Sequence, residues 1–164
     1  MTSIRKTAAC ALGSLAMLAG YSQIARAQTP AGPSAQAPLA AGLTESGTAE
    51  AQVVEAVRSG DILSIKVRFK PIVPDKTEMI YPSITKDAYE SSFYVIAGNK
   101  KHLLLKDSND KPLTNPKLMI RTSKDAPIAG AWQGKFPAPP KEVTEISLTI
   151  PGVETIDAIK ITDR

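Results

Sequence analysis

Between residues 61 and 161 apolar side chains recur at every second position, in short runs bounded by proline, glycine and asparagine. The clearest run is Asp61 to Lys70, where Leu63, Ile65, Val67 and Phe69 alternate with Ser64, Lys66, Arg68 and Lys70. Successive residues of a strand point to opposite faces, so this period makes one greasy face and one wet face. A second clean run places Ile146, Leu148 and Ile150 against Glu145, Ser147 and Thr149. No segment shows sustained helical periodicity. Such a pattern is stable only when the apolar faces are pressed together, which predicts an all-β fold.

Turn chemistry divides the pattern into elements. Ser59-Gly60-Asp61 predicts a hairpin joining Ala51–Arg58 to the strand that follows, and Gly98-Asn99-Lys100 predicts another between Ser92–Ala97 and His102–Lys106. Shorter strands are expected at Lys117–Thr122, at Ala131–Phe136 and around Ile156, Ile159 and Ile161. Pro71, Pro74 and Pro82 predict a long irregular segment over Pro71 to Glu90, and Pro137, Pro139 and Pro140 a stiff corner. About seven short strands of this kind read as an immunoglobulin-like two-sheet sandwich occupying residues 50–164.

The N-terminus has a different logic. Arg5 and Lys6 precede an uncharged run from Thr7 to Gly20, and Ala25-Arg26-Ala27 follows with small residues where a signal peptidase reads. This order predicts a signal peptide over residues 1–27 with cleavage between Ala27 and Gln28. The run is shorter than the roughly 20 apolar residues that span a bilayer, so no transmembrane segment is expected in the mature chain. From Gln28 to residue 49 the chain turns to Ala, Pro, Gly, Ser, Thr and Gln, with Leu39 and Leu43 its large aliphatics. That composition predicts a disordered linker over 28–49. Cleavage would remove Arg5, Lys6 and Arg26 and no acid, lowering the net charge from +4 to +1. A nearly neutral domain has no general attraction for nucleic acid or anionic lipid. Cys10, the single cysteine, leaves with the signal, which excludes thiolate chemistry and disulfides from the mature protein. The localisation that follows is periplasmic or secreted.

Two motifs carry a family resemblance. One is the hairpin Gly98-Asn99-Lys100-Lys101 with Leu103 to Asp107 and Lys111-Pro112-Leu113. The other is Lys135-Phe136-Pro137-Ala138-Pro139-Pro140, followed by an alternating strand that ends in Pro151-Gly152. Together they resemble an uncharacterised family of exported bacterial immunoglobulin-like β-sandwich domains, over most of Val53 to Ile161. The resemblance implies a β-sandwich of the cell envelope and no established activity or catalytic residue. In that family a Trp stands three residues before the Phe. Here Trp132 stands four before Phe136, so alternation would place both on one strand face; either a bulge absorbs the extra residue or Trp132 has a different role.

Few groups suggest chemistry. His102 is the single histidine, at a strand start beside Lys100 and Lys101, with no nucleophile motif such as G-x-S-x-G near it. Asp107, Asn109 and Asp110 could offer oxygens to calcium but lack the spacing of an EF-hand, and a turn explains them. Met79, Met119 and His102 are the soft donors copper(I) would use, scattered along the domain. The acids select no pair for glycoside hydrolysis. Lys66, Arg68 and Lys70 form a basic row on one strand face, which reads as a solvated face or as a meeting place for an acidic partner. Met79, Tyr81 and Tyr89 fall in the irregular segment; exposed, they are candidate partner contacts, and if the loop folds over the end of the core they are buried instead. No catalytic, cofactor-binding or metal residue is assigned and no cofactor is expected. The leading expectation is a non-enzymatic binding or accessory module of the cell envelope with an envelope or extracellular protein as partner. The alternatives are a periplasmic copper- or calcium-binding protein and an enzyme acting on envelope glycans.

Overall fold

The structure is a computed structural model and describes residues 37–164. The expected signal peptide, its Ala27–Gln28 cleavage site and linker residues 28–36 lie outside the described residues. The domain is mostly β, with strands β1 (Ala40–Leu43), β2 (Ala49–Ser59), β3 (Ile62–Pro71), β4 (Thr77–Tyr81), β5 (Tyr94–Ala97), β6 (Lys100–Leu103), β7 (Leu118–Arg121), β8 (Gly130–Pro137), β9 (Glu145–Thr149), β10 (Ile156–Lys160) and β11 (Thr162–Asp163), and one helix, α1 (Lys86–Ser92). One sheet runs β1-β2-β3-β8 with β11 alongside β2, a second runs β10-β9-β5-β6, and β4 pairs with β7 in a third. Neighbouring strands are antiparallel except β11, which is parallel to β2. The sheets do not close into a barrel.

The β2–β3 hairpin follows the predicted turn. Ser59 and Ile62 pair across Gly60-Asp61, with Gly60 at φ +56°, a conformation that costs a residue without Cβ little. Gly98, at φ +59°, does the same between β5 and β6. Leu63, Ile65, Val67 and Phe69 are all buried, while Lys66 and Lys70 face water. On β2 the rhythm breaks at a bulge between Val53 and Glu55. Ala49, Ala51 and Val53 point inward before it, and Ala56 and Arg58 after it. Without the extra residue Glu55 would point into the core; with it, Glu55 stands outside opposite Lys66.

Side chains from all three sheets meet in one core, in which Trp132, Phe69, Phe93 and Phe136 are the largest. Trp132 and Phe136 share the inner face of β8, and the β3–β8 register runs through them without a shift. The Trp132 ring lies over Gly134, where an added Cβ would sit 2.5 Å from Cη2. Trp, Gly and Phe at alternate positions thus fill one layer.

Two parts of the chain depart from the sequence expectation. The linker does not extend to residue 49, because residues 40–48 form β1 and a turn and Ala49 opens β2. AAGL has little apolar surface of its own and gains its order by pairing with Glu50–Val53 along the edge of β2. Leu39 N–H also donates to Val53 O at 2.7 Å, and the 152–154 turn bonds back to Leu43 and Glu45. Composition cannot register a partner supplied from elsewhere in the chain. The segment from Pro71 to Glu90 is irregular only in part, at 72–76 and 82–85. Its prolines stand outside the run 77–81, which forms β4, and Thr85 Oγ1 accepts from Ala88 N–H at 3.2 Å to cap α1. Seven residues are too short to display a helical period.

Candidate functional site

The three candidate contact residues are not gathered into one exposed patch. Ile80 and Tyr81 are both buried, because a bulge between Met79 and Tyr81 turns two successive residues inward. Tyr81 is 3% exposed, meets Phe93 edge-on at 5.0 Å between ring centroids, and donates its hydroxyl to Asn115 O at 2.8 Å. Burial pushes its pKa up to about 12, against a weaker opposite pull from the neighbouring Trp132 and Thr114. Tyr89 is half-buried on α1, donates to Leu104 O at 2.7 Å and carries Lys106 Nζ over its ring. Only Met79 is exposed. The patch as drawn from the sequence does not exist: the tyrosines are fastenings.

What Tyr81 fastens is the segment 112–116, a strap along the free edge of β8. Thr114 Oγ1 donates to Gln133 O at 2.6 Å, and Gln133 N–H donates to Asn115 Oδ1 at 3.0 Å. Lys135 N–H donates to Leu113 O at 3.1 Å, and Leu105 N–H to Lys135 O at 2.8 Å. The strap is therefore bonded to the β8 edge and, through Asn115, to the core. Pro112 and Pro116 at its ends keep it extended. Beside it opens a cleft of about 670 Å³ whose lining includes Glu55, Lys66, Thr114, Asn115, Gln133 and Lys135. Lys66 faces Gln133 across β3–β8, and Ser64 faces Lys135.

The basic row expected on β3 belongs partly to this surface. Lys66 Nζ is 2.9 Å from Glu55 Oε2, and Arg68 Nε donates to Gln52 Oε1 at 2.9 Å. Its charge is thus partly matched by β2, as in a cross-strand ladder. Lys135, by contrast, is exposed and has no ion-pair partner among the described residues. The cleft accordingly offers one unmatched ammonium group, several amide and hydroxyl groups, and proline surface. That inventory suits holding an extended polar segment and supplies no evident nucleophile with a base.

The other candidates resolve into structure. His102 is not a surface residue at a strand end. It faces the side of β6 shared with buried Val95, is half-buried, and its Nε2 has no hydrogen-bond partner among the described residues. Asp107 Oδ1 accepts from Asn109 N–H at 2.8 Å and Lys111 N–H at 2.9 Å, bonds that hold its carboxyl below its usual range. Asp110 pairs with Lys106 at 3.0 Å. These acids build a turn, and no group of three or more His, Cys, Asp or Glu among the described residues could hold a metal ion. No helix among them is long and apolar enough to cross a membrane.

Sequence reasoning missed Arg58. It is buried where the corner after β8 meets the end of the chain. Nη1 donates to Pro139 O at 3.0 Å, Pro140 O at 2.6 Å and Val143 O at 3.2 Å, while Nε and Nη2 take the two carboxylate oxygens of Asp163. The hydrogen bond from Arg58 holds the Asp163 carboxyl below its usual range, and Asp163 in turn raises the pKa of Arg58. The available signal was the proline-rich corner Pro137-Ala138-Pro139-Pro140, where three residues bring a carbonyl and no N–H.

The fold thus defines a class, a mostly antiparallel β domain of three sheets sharing one core. Comparison of the chain with protein-family models, curated proteins and solved structures finds no match.

Proposed function

We propose that the chain is an exported, non-enzymatic binding or accessory module of the bacterial cell envelope, built as an immunoglobulin-like sandwich. Export rests on the charged start, the apolar run and the Ala25-Arg26-Ala27 site, and it places the mature protein in the periplasm or outside the cell. The observation that carries the binding role is the cleft beside the strap, where Lys135 stands without a counter-charge among fixed amide and hydroxyl groups. An acidic, extended segment of an envelope or extracellular protein is the partner this lining fits. The strap is held by side-chain and main-chain bonds, so the cleft is preformed and binding requires little ordering of the module.

The test is affinity capture from envelope extracts with the exported protein and its Lys135→Glu variant. We expect saturable recovery of one partner, lost on charge reversal and weakened between about 0.05 and 0.5 M salt as screening shortens. Recovery unaltered by the reversal would refute the cleft as the site.

A further inference from the structure

The chain has four methionines, and two of them, Met1 and Met17, lie outside the described residues. The other two are forty positions apart in sequence, yet Met79 and Met119 stand directly opposite each other across β4 and β7. Their side chains are 51% and 56% exposed, so neither serves the core, whereas the intervening neighbours Ile80 and Ile120 are buried. We infer that Met79 and Met119 form a two-thioether site for a soft monovalent ion, copper(I), on the outer face of the β4–β7 sheet.

Geometry and ligand chemistry support this together. Directly opposed residues of an antiparallel pair hold their Cβ atoms about 4.5–5.5 Å apart. Each thioether then has three rotatable bonds with which to turn its sulfur toward the other. Thioether sulfur selects copper(I) over hard or borderline cations, and the binding step is ligation alone, with no electron or proton transferred. The next pair along the same face is Thr77 and Arg121. The guanidinium adds a like charge beside the ion and sets the affinity lower than two sulfurs alone would give. His102, the remaining soft donor among the described residues, belongs to β6 in another sheet. The site is separate from the cleft and does not depend on its function.

The experiment uses the full chain with Cys10→Ser and Met17→Leu, which leaves Met1 as the one other soft donor of the N-terminal segment. Methionine methyl groups carrying ¹³C are followed by NMR during titration with silver(I), and with copper(I) in the absence of oxygen. We expect the Met79 and Met119 signals to move together and saturate at one equivalent. Met79→Leu or Met119→Leu, exposed and nearly isosteric, each weaken binding at least tenfold, and Arg121→Gln strengthens it several-fold. Movement of only one methyl signal, an equal response to zinc(II), or unchanged binding in the double leucine variant would overturn the assignment.

Discussion

A buried phenol must find an acceptor, and Tyr81 finds the carbonyl of Asn115 in the strap. Replacing it by Phe removes that bond and leaves the ring packing on Phe93 intact. Tyr81→Phe should cost about 1 kcal/mol, read from the denaturant midpoint. The pH response has a definite sign. In the unfolded chain the hydroxyl ionises near 10, whereas in the folded protein it keeps its proton until about 12. Its contribution is therefore complete below pH 10 and is lost as pH rises from about 10 to about 12. A titration of stability over that window should show a steeper fall in the wild type than in Tyr81→Phe. At this scale sequence reading found the right residues and gave some the wrong job. Trp132 as core was legible from its strand. Tyr81 and Tyr89 were not legible as fastenings, because a bulge and a seven-residue helix decide which way they point.

Elements with an unbroken two-residue rhythm, β3 and β9 above all, were legible in the chain itself. β2 was harder, since its bulge reverses which residues face inward halfway along and brings Arg58 inside. That arginine joins β2, the proline corner and β11, and Asp163 completes the joint. Because Arg58 holds the Asp163 carboxyl low, the pair stabilises the fold above the ordinary aspartate range of about 3.9. The stabilisation is lost as pH falls through the lower folded value. Asp163→Asn should lower stability at neutral pH and flatten its decline below pH 4, measured by thermal unfolding at several pH values. Arg58→Ala should be far worse, for it takes a donor from the carbonyls of Pro139, Pro140 and Val143 at once, and the Pro139 bond is buried.

Across the whole molecule the all-β class was legible, while the start of the domain was not. β1 looks like linker because its order comes from β2 and from the 152–154 turn, both remote in sequence. A chain beginning at Ala37 should melt with the full-length protein. One beginning at Glu50 exposes the main-chain edge of β2 and should melt roughly 10 °C lower, as a loss of a few kcal/mol implies for a domain this size. Scanning calorimetry of the two truncations distinguishes them, and equal melting temperatures would show β1 to be dispensable. The cleft was out of reach of sequence reasoning, since Ser64 and Lys135 are remote in sequence and face each other only when β3 and β8 pair.

The strap beside β8 bears on how this domain meets other chains. At Gln133 and Lys135 both amide hydrogens and both carbonyl oxygens are already spoken for. A stranger cannot lengthen the sheet there by zipping its own backbone on, nor can a second copy use that border as a template for fibrous growth. Whatever docks beside it must be chosen by its side groups, which makes selectivity at this border a matter of chemistry rather than of shape-blind pairing.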